Sequence, residues 1–294
     1  MIVYRPSYCK DFKCIAEKCR HSCCVGWEIS VDESTLGKYE SLGREDILRH
    51  VHDGEITLCD GGHCPFLQAD GLCRIISELG DEYTSVICRE HPRFYHRVGD
   101  RIEGGIGLSC EEACRIVLSS DSYTDFYESE HNPDVAEETD FDSIFHRKFL
   151  YSLLADKGLS YDRTITQIKE KYSLTSPIHT VDEWREILCG LEYLDESHRG
   201  LFAPGKGRSE YDKIYERFLA YLLFRHLSVA ESYENLRARL GFCLLVCSLL
   251  EGMTASGELT FDEICDFARI ISEEIEYSEA NTAELIFEFE ANLF

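Results

Sequence analysis

The residues best suited to chemistry are cysteines. Of the 15 in this 294-residue chain, 11 precede residue 115: Cys9, Cys14, Cys19, Cys23, Cys24, Cys59, Cys64, Cys73, Cys88, Cys110 and Cys114. Four residues separate Cys14 from Cys19, three separate Cys19 from Cys23, and Cys24 follows Cys23 directly. A second group runs through Cys64-Pro-Phe-Leu, Cys73, Cys88-Arg-Glu-His-Pro-Arg and Cys110. Disulfides do not persist in a reducing compartment, and the odd total counts against a disulfide framework, so dense thiols read as metal ligands or catalytic groups. Short spacings let one loop wrap an ion or cluster. Adjacent cysteines are expected to point apart, so that Cys23 and Cys24 serve different centres or one of them merely packs. Thiolate sets of this kind suit zinc or an iron–sulfur cluster, and spacing alone does not separate the two. The familiar ferredoxin and zinc-finger spacings are absent.

Around these thiols lie His21, His63, His91 and His96, each readable as a substitute ligand or as a hydrogen-bonding neighbour. Arg89 and Arg93 flank the third block; their guanidinium groups could hold a carboxylate, or neutralise sulfur and pair with Glu103. Gly104-Gly105-Ile106-Gly107 reads as a tight hairpin turn. Cys189, Cys243, Cys247 and Cys265 fall in apolar helical segments and read as buried small hydrophobes.

The elements that must position these groups divide in three. Residues 1–120 are rich in Cys and Gly with few periodic segments, so an irregular cysteine-rich domain stabilised by metal is expected, since metal–ligand bonds can supply on the order of 10 kcal/mol of folding free energy. Residues 121–142 carry nine carboxylates and no Lys or Arg, the pattern of an exposed acidic linker. Residues 143–294 show helical periodicity, as in Tyr211, Ile214, Tyr215, Phe218 and Leu222. Helices are expected near 143–156, 162–172, 181–195, 210–227, 231–252, 261–277 and 280–291, with Ser160 and Asp182 as N-caps. The fold class is therefore mainly α: a cysteine-rich cluster domain followed by a helical bundle.

Formal net charge is −25, and residues 119–294 hold 16 Lys and Arg against 35 Asp and Glu. That balance argues against nucleic acid as a partner, since such binding relies on clustered cations. The longest apolar run, Leu240–Leu250, is short of the roughly 20 residues a membrane span needs, and the N-terminal sequence resembles no secretory signal, so a cytoplasmic protein is expected.

The strings FKCIAEKCRHSCCVGWEISVD, CPFLQADGLCRI, ICREHPRF and IEGGIGLSCEEACRIVL, in this order, resemble the flagellin lysine N-methylase family and the broader group of zinc- or iron-chelating cysteine-cluster proteins. YLLFRHL and IISEEIEYSEANTAELIF extend the resemblance into the helical half. The resemblance implies metal ligands at Cys14, Cys19, Cys23, Cys24, Cys64, Cys73, Cys88 and Cys110, with Cys9, Cys59 and Cys114 outside the motif. It implies an iron–sulfur cluster, 4Fe-4S in type with zinc as the alternative, and transfer of a methyl group from S-adenosylmethionine to a lysine of flagellin or another protein. Arg89, Arg93 and Glu103 are then candidates to hold the methyl donor, and Glu276-Tyr277 to supply a site carboxylate, though a solvated helix face is the simpler account of Glu276. The same motif blocks also fit a non-catalytic iron- or zinc-binding protein or an electron carrier.

Overall fold

The computed structural model describes residues 1–133, 135 and 137–293. The chain opens with strand β1 (Ile2–Pro6), then forms helices α1 (Glu33–Ser41) and α2 (Glu45–Leu48), a short ribbon of β2 (Val51–His52) and β3 (Glu55–Ile56), and helices α3 (Arg74–Leu79) and α4 (Val86–Glu90). Strands β4 (Arg93–Val98) and β5 (Arg101–Ile106), helix α5 (Glu111–Ser119) and strands β6 (Phe126–Glu130) and β7 (Glu137–Thr139) follow. The remainder is helical: α6 (Ser143–Leu154), α7 (Tyr161–Lys171), α8 (Val181–Gly190), α9 (Asp212–Leu227), α10 (Tyr233–Met253), α11 (Phe261–Ile271) and α12 (Glu279–Asn292).

These elements form two units, a smaller one of residues 13–94 and 110–112 and a larger one of residues 1–12, 95–109 and 113–294. The boundaries expected at 120 and 142 are thus corrected. The N-terminal strand joins the helical part because Val3, Ile102 and Tyr95 form one apolar patch on a five-stranded sheet of order β6-β1-β5-β4-β7. The acidic stretch is no linker. It supplies both edge strands, β6 antiparallel to β1 from Ile2↔Glu130 to Pro6↔Phe126, and β7 parallel to β4. Edge positions let Glu128 and Glu130 stay in water while their backbone is paired. Asp134, one of the nine carboxylates, lies outside the described residues.

The Gly104–Gly107 string is also reassigned. Its first three residues lie in β5, and the chain turns earlier, at Gly99-Asp100. A Cβ at Gly104 would stand 2.9 Å from the Tyr95 ring and 3.1 Å from Val3, so glycine there is a packing requirement.

In the larger unit, α9 and α10 are apolar on nearly every side because both are central, packing on each other and on α6, α7, α11 and α12. Phe218, Leu222, Leu223, Leu236, Leu240 and Leu249 are each 0% exposed. Ser160 caps α7 as expected, accepting from the Arg163 N–H. Helix α8 starts from Thr180, with Glu183 closing a reciprocal capping box, in place of the expected cap at Asp182; Thr260 and Glu263 do the same for α11.

Candidate metal centre

The smaller unit has a modest core of Ile29, Val31, Tyr39, Ile47, Ile56, Phe66 and Ile75, and cysteine is part of it: Cys64 is buried within, and Cys24 and Cys73 pack against it. Main-chain bonds bring these three together. The Cys64 N–H donates to the Cys24 carbonyl (2.8 Å), the Leu67 N–H to the Cys64 carbonyl (3.0 Å), and Leu67 forms a β-bridge with Cys73. Cys88 arrives on α4. Asp32 caps α1 at the Thr35 N–H (2.9 Å) and also accepts from the Val86 N–H (2.9 Å) at the start of α4. One carboxylate thereby seats both helices, and Tyr39, whose hydroxyl donates to the Tyr83 carbonyl (2.6 Å), lies within electrostatic range of Cys64, Cys73 and Cys88. Burial raises the Cys64 thiol to about 12, with Cys24, Cys73 and Cys88 adding to the rise. Burial likewise raises Cys73 and Cys88, each with a further push from Cys24.

A second group forms around Glu111, the first residue of α5. Its carboxylate accepts from the Arg20 N–H (2.8 Å), the Arg20 Nε (3.0 Å), the His21 N–H (3.2 Å) and the Cys19 Sγ (3.8 Å). Burial favours the protonated acid, but the Arg20 bonds outweigh it and hold Glu111 below the usual carboxylate range. Cys19 is raised by burial, with contributions from Glu111 and Cys14. Cys23 lies within electrostatic range of Cys14 and Cys110. The adjacent thiols of Cys23 and Cys24 influence each other, Cys24 being drawn below and Cys23 pushed above the ordinary thiol value.

All eight thiols named as ligands therefore lie in the smaller unit. Among the described residues no three His, Cys, Asp or Glu side chains are gathered closely enough to hold a metal ion as they stand. The chemistry of the donors, eight soft sulfurs in one small unit, fits zinc or an iron–sulfur cluster.

Elsewhere the placements are mixed. Cys59 is exposed, Cys114 is buried with its thiol on the Cys265 carbonyl (3.3 Å), and Cys243, Cys247 and Cys265 are buried as expected. Cys189 is exposed, against expectation. Arg89 spends one guanidinium nitrogen on the Thr84 carbonyl (2.7 Å), and Arg93 reaches the Arg89 carbonyl (3.5 Å). His91 is held down at about 4 by burial, then by Arg93, and is neutral at pH 7. His63 is exposed and His96 sits on β4.

Glu103 is bonded within the protein. It is 0% exposed in the larger unit, with Arg147 Nη2 at 2.7 and 2.6 Å from its two oxygens, Ser228 Oγ at 2.9 Å and Arg101 Nε at 3.3 Å. Glu276 is not on a solvated face either. A π-helical turn, Ser272–Glu276, carries it inward, where His226 Nε2 (2.7 Å) and the Tyr221 hydroxyl (3.3 Å) bind it. A Cβ at Gly107 would collide with the Tyr277 hydroxyl and Arg225. A cavity of about 420 Å³ between α7 and α10, lined by Tyr161, Asp162, Lys206 and Glu251 among others, contains none of the expected site residues.

Sequence reasoning missed Glu111. An acidic residue opening a helix is ordinary, so nothing in the string Cys110-Glu111-Glu112 marks one of the two as a clamp.

Lysine-N-methylases of Salmonella choleraesuis (strain SC-B67) and Salmonella typhimurium are each 31% identical to this chain over 130 residues, a match covering 40% of the chain and 32% of each enzyme. The flagellar biosynthetic protein FliU of Salmonella muenchen is 30% identical over 130 residues, covering 77% of that protein. The chain belongs to the lysine-N-methylase and FliU family. It spans about a third of the length of the lysine-N-methylases it matches. No family model and no solved structure matches it. As a member of the lysine-N-methylase and FliU family it carries a cysteine-rich unit, and among the described residues no helix is long and apolar enough to cross a membrane.

Proposed function

We propose that this chain is an S-adenosylmethionine-dependent protein lysine N-methylase whose smaller unit carries a thiolate-bound iron–sulfur cluster. The observation that carries the reading is the presence of eight family-motif cysteines in one small unit, joined to the likeness to lysine-N-methylases. Methyl transfer forms an N–C bond as the donor's C–S bond breaks, with its electron pair leaving on sulfur and a proton lost from the amine. The amine must be neutral and in line with the methyl group, so the protein's part is to position and to desolvate. Cys24, Cys64, Cys73 and Cys88 are the first ligand candidates: Cys64 is buried in the core of the smaller unit, Cys24 and Cys73 pack against it, and α4 carries the exposed Cys88. A cluster held there supplies a redox-active centre. Arg89 and Arg93, close to Cys88 in sequence, remain the groups proposed to meet the donor's carboxylate, while Glu103 is engaged by Arg147 and Ser228.

Anaerobic purification followed by iron and labile-sulfide analysis tests the cluster: equal iron and sulfide is expected, and a colourless zinc protein would refute it. Incubation with the methyl donor and purified flagellin, read by intact mass, tests the activity, with gains of single methyl groups expected. The limited span of the match favours a second reading, a non-catalytic iron- or zinc-binding protein or electron carrier, and an unchanged flagellin mass in the presence of loaded protein would support it.

A further inference from the structure

In the larger unit, one face of α7 and one face of α10 enclose the cavity of about 420 Å³. Helix α7 lines it with Tyr161, Asp162, Ile165 and Lys169, and α10 with Leu244 and Glu251, residues that recur at helical spacing. The third wall is the segment 203–207, which is held against α10: the Gly205 N–H donates to the Ser248 carbonyl (3.0 Å), and a Cβ at Gly205 would stand 2.6 Å from Gly252 Cα. That segment carries Lys206, whose ammonium sits on Asp162 (2.9 Å) with both side chains exposed. A second cavity of about 300 Å³ shares Tyr161, Asp162, Lys206 and Glu251 and adds Asp212. The lining is chemically divided. Ile165 and Leu244 offer an apolar wall, whereas Glu251 offers a carboxyl that accepts from the Tyr161 hydroxyl (2.7 Å) and the Gly207 N–H (3.2 Å). Among the described residues no Lys, Arg or His is ion-paired with Glu251 or Asp212. Burial raises the Glu251 carboxyl in spite of those two hydrogen bonds, and Asp162 adds to the rise while Lys169 eases it. Asp212 is raised by burial, then by Asp162 and Glu216. Carboxyls withdrawn from water without a counter-charge favour the approach of a cation. These three are not gathered closely enough to hold a metal ion, so an organic cation is the one that suits them.

We propose that this cavity binds a primary ammonium carried on a straight alkyl chain, with its methylenes against Ile165 and Leu244 and its charge between Glu251 and Asp162, where it displaces Lys206. Lys206 itself shows the fit, being an ammonium on four methylenes that already sits on Asp162. Its displacement costs little, because ion pairs exposed at both ends contribute little. An anion held between Lys169 and Lys206 is the opposite reading, but Lys206 is spent on Asp162, and Glu251 faces the same space and would repel it. Two sources present the ammonium, the side chain of a lysine on a protein and a free diamine. The first makes the cavity the seat of a lysine of the protein substrate, and that assignment, unlike the ammonium site, rests on the methylase reading.

The test titrates the full chain, by saturation-transfer NMR, with Nα-acetyl-lysine amide, cadaverine, the Nα,Nε-diacetylated lysine amide and inorganic phosphate. Saturable binding of the two amines is expected, and none of the diacetylated compound or of phosphate. Glu251→Gln should weaken amine binding roughly 10-fold or more, as when one member of a partly buried charge pair is neutralised. Lys206→Ala should tighten it by roughly 2- to 5-fold, since an internal competitor for Asp162 is gone. That gain is a readout that a merely structural cavity would not give, and Lys206 is exposed, so the variant keeps the test open should Glu251→Gln fail to fold. Phosphate binding that is lost in Lys206→Ala would overturn the proposal, as would an amine affinity unchanged in both variants. A 10-fold preference for the lysine derivative over cadaverine supports the protein source, and the reverse preference overturns it. No methyl transfer is read, so a chain inactive on flagellin that still binds amines refutes the methylase reading alone. A chain that methylates flagellin and binds no amine refutes the cavity assignment alone.

Discussion

At the scale of single residues, a thiol's place in the fold decides what its loss should do. Cys88 and Cys19 are motif cysteines of the smaller unit, whereas Cys247 is 1% exposed in α10 and touches the Tyr161 hydroxyl (3.1 Å). Cys88→Ala and Cys19→Ala should therefore each lower metal content per chain, measured by atomic emission after anaerobic purification, and Cys247→Ala should not. Equal metal in all three variants would refute the ligand assignment. The ligand candidates were legible because cysteine density is a property of the string. The clamp was not: Glu111 acts through atoms of Cys19, Arg20 and His21, about 90 residues away in sequence, and no local pattern encodes a contact of that range. Glu103 misled for the same reason, since its partner Arg147 is 44 residues distant and the arginines nearer in sequence were the visible choice.

At the scale of elements, helix positions were read closely because periodicity and caps are local, and α9, α10 and α12 fall within a few residues of expectation. Strands were missed because β1, β6 and β7 are short and acquire their partners only through long-range pairing. Two predictions belong here. Thr260 accepts the Glu263 N–H at 3.3 Å while Glu263 returns to the Thr260 N–H at 2.7 Å, so Thr260→Ala should destabilise the larger unit by about 1 kcal/mol in urea unfolding. The Glu103–Arg147 pair joins β5 to α6. Burial alone would raise the Glu103 carboxyl, but the charge and hydrogen bonds of Arg147 prevail and its pKa falls below the ordinary 4.5. A carboxylate depressed on folding contributes stability that is complete above its unfolded value and is lost as pH falls through the folded one. Glu103→Gln should then cost about 3 to 5 kcal/mol at pH 7, since Arg147 is left buried without its counter-charge. The difference from wild type should stay level between pH 6 and 8 and shrink below about pH 4.5, as wild type itself takes up the proton. A difference that grows on acidification would refute the assignment.

At the scale of the whole molecule, the two units are held by different physics. The larger is built on fully buried aromatic and aliphatic side chains of α9 and α10, with its buried thiols Cys243 and Cys247 acting as small hydrophobes, and none of the eight candidate ligands belongs to it. The smaller has few fully buried large side chains, Tyr39, Ile47 and Phe66 chief among them, and much of its backbone lies in loops between residues 13 and 32 and between 57 and 73. A core of that size leaves little margin over the conformational entropy of its loops, whereas thiolate–metal bonds formed on folding contribute directly to stability. Chelation of the metal should accordingly act on one unit and spare the other. Hydrogen exchange read by mass spectrometry before and after chelation should show deprotection of peptides from residues 13–94, the 14–21 segment most of all, because its end is held by the side-chain carboxylate of Glu111 and not by a strand ladder. Peptides from α9 and α10 should exchange as slowly as before, since opening them requires exposing leucines such as Leu222, Leu223 and Leu249, all 0% exposed. Uniform deprotection of both units would mean that the metal stabilises the molecule as one cooperative body, and unchanged protection of residues 13–94 would mean that their core needs no metal at all.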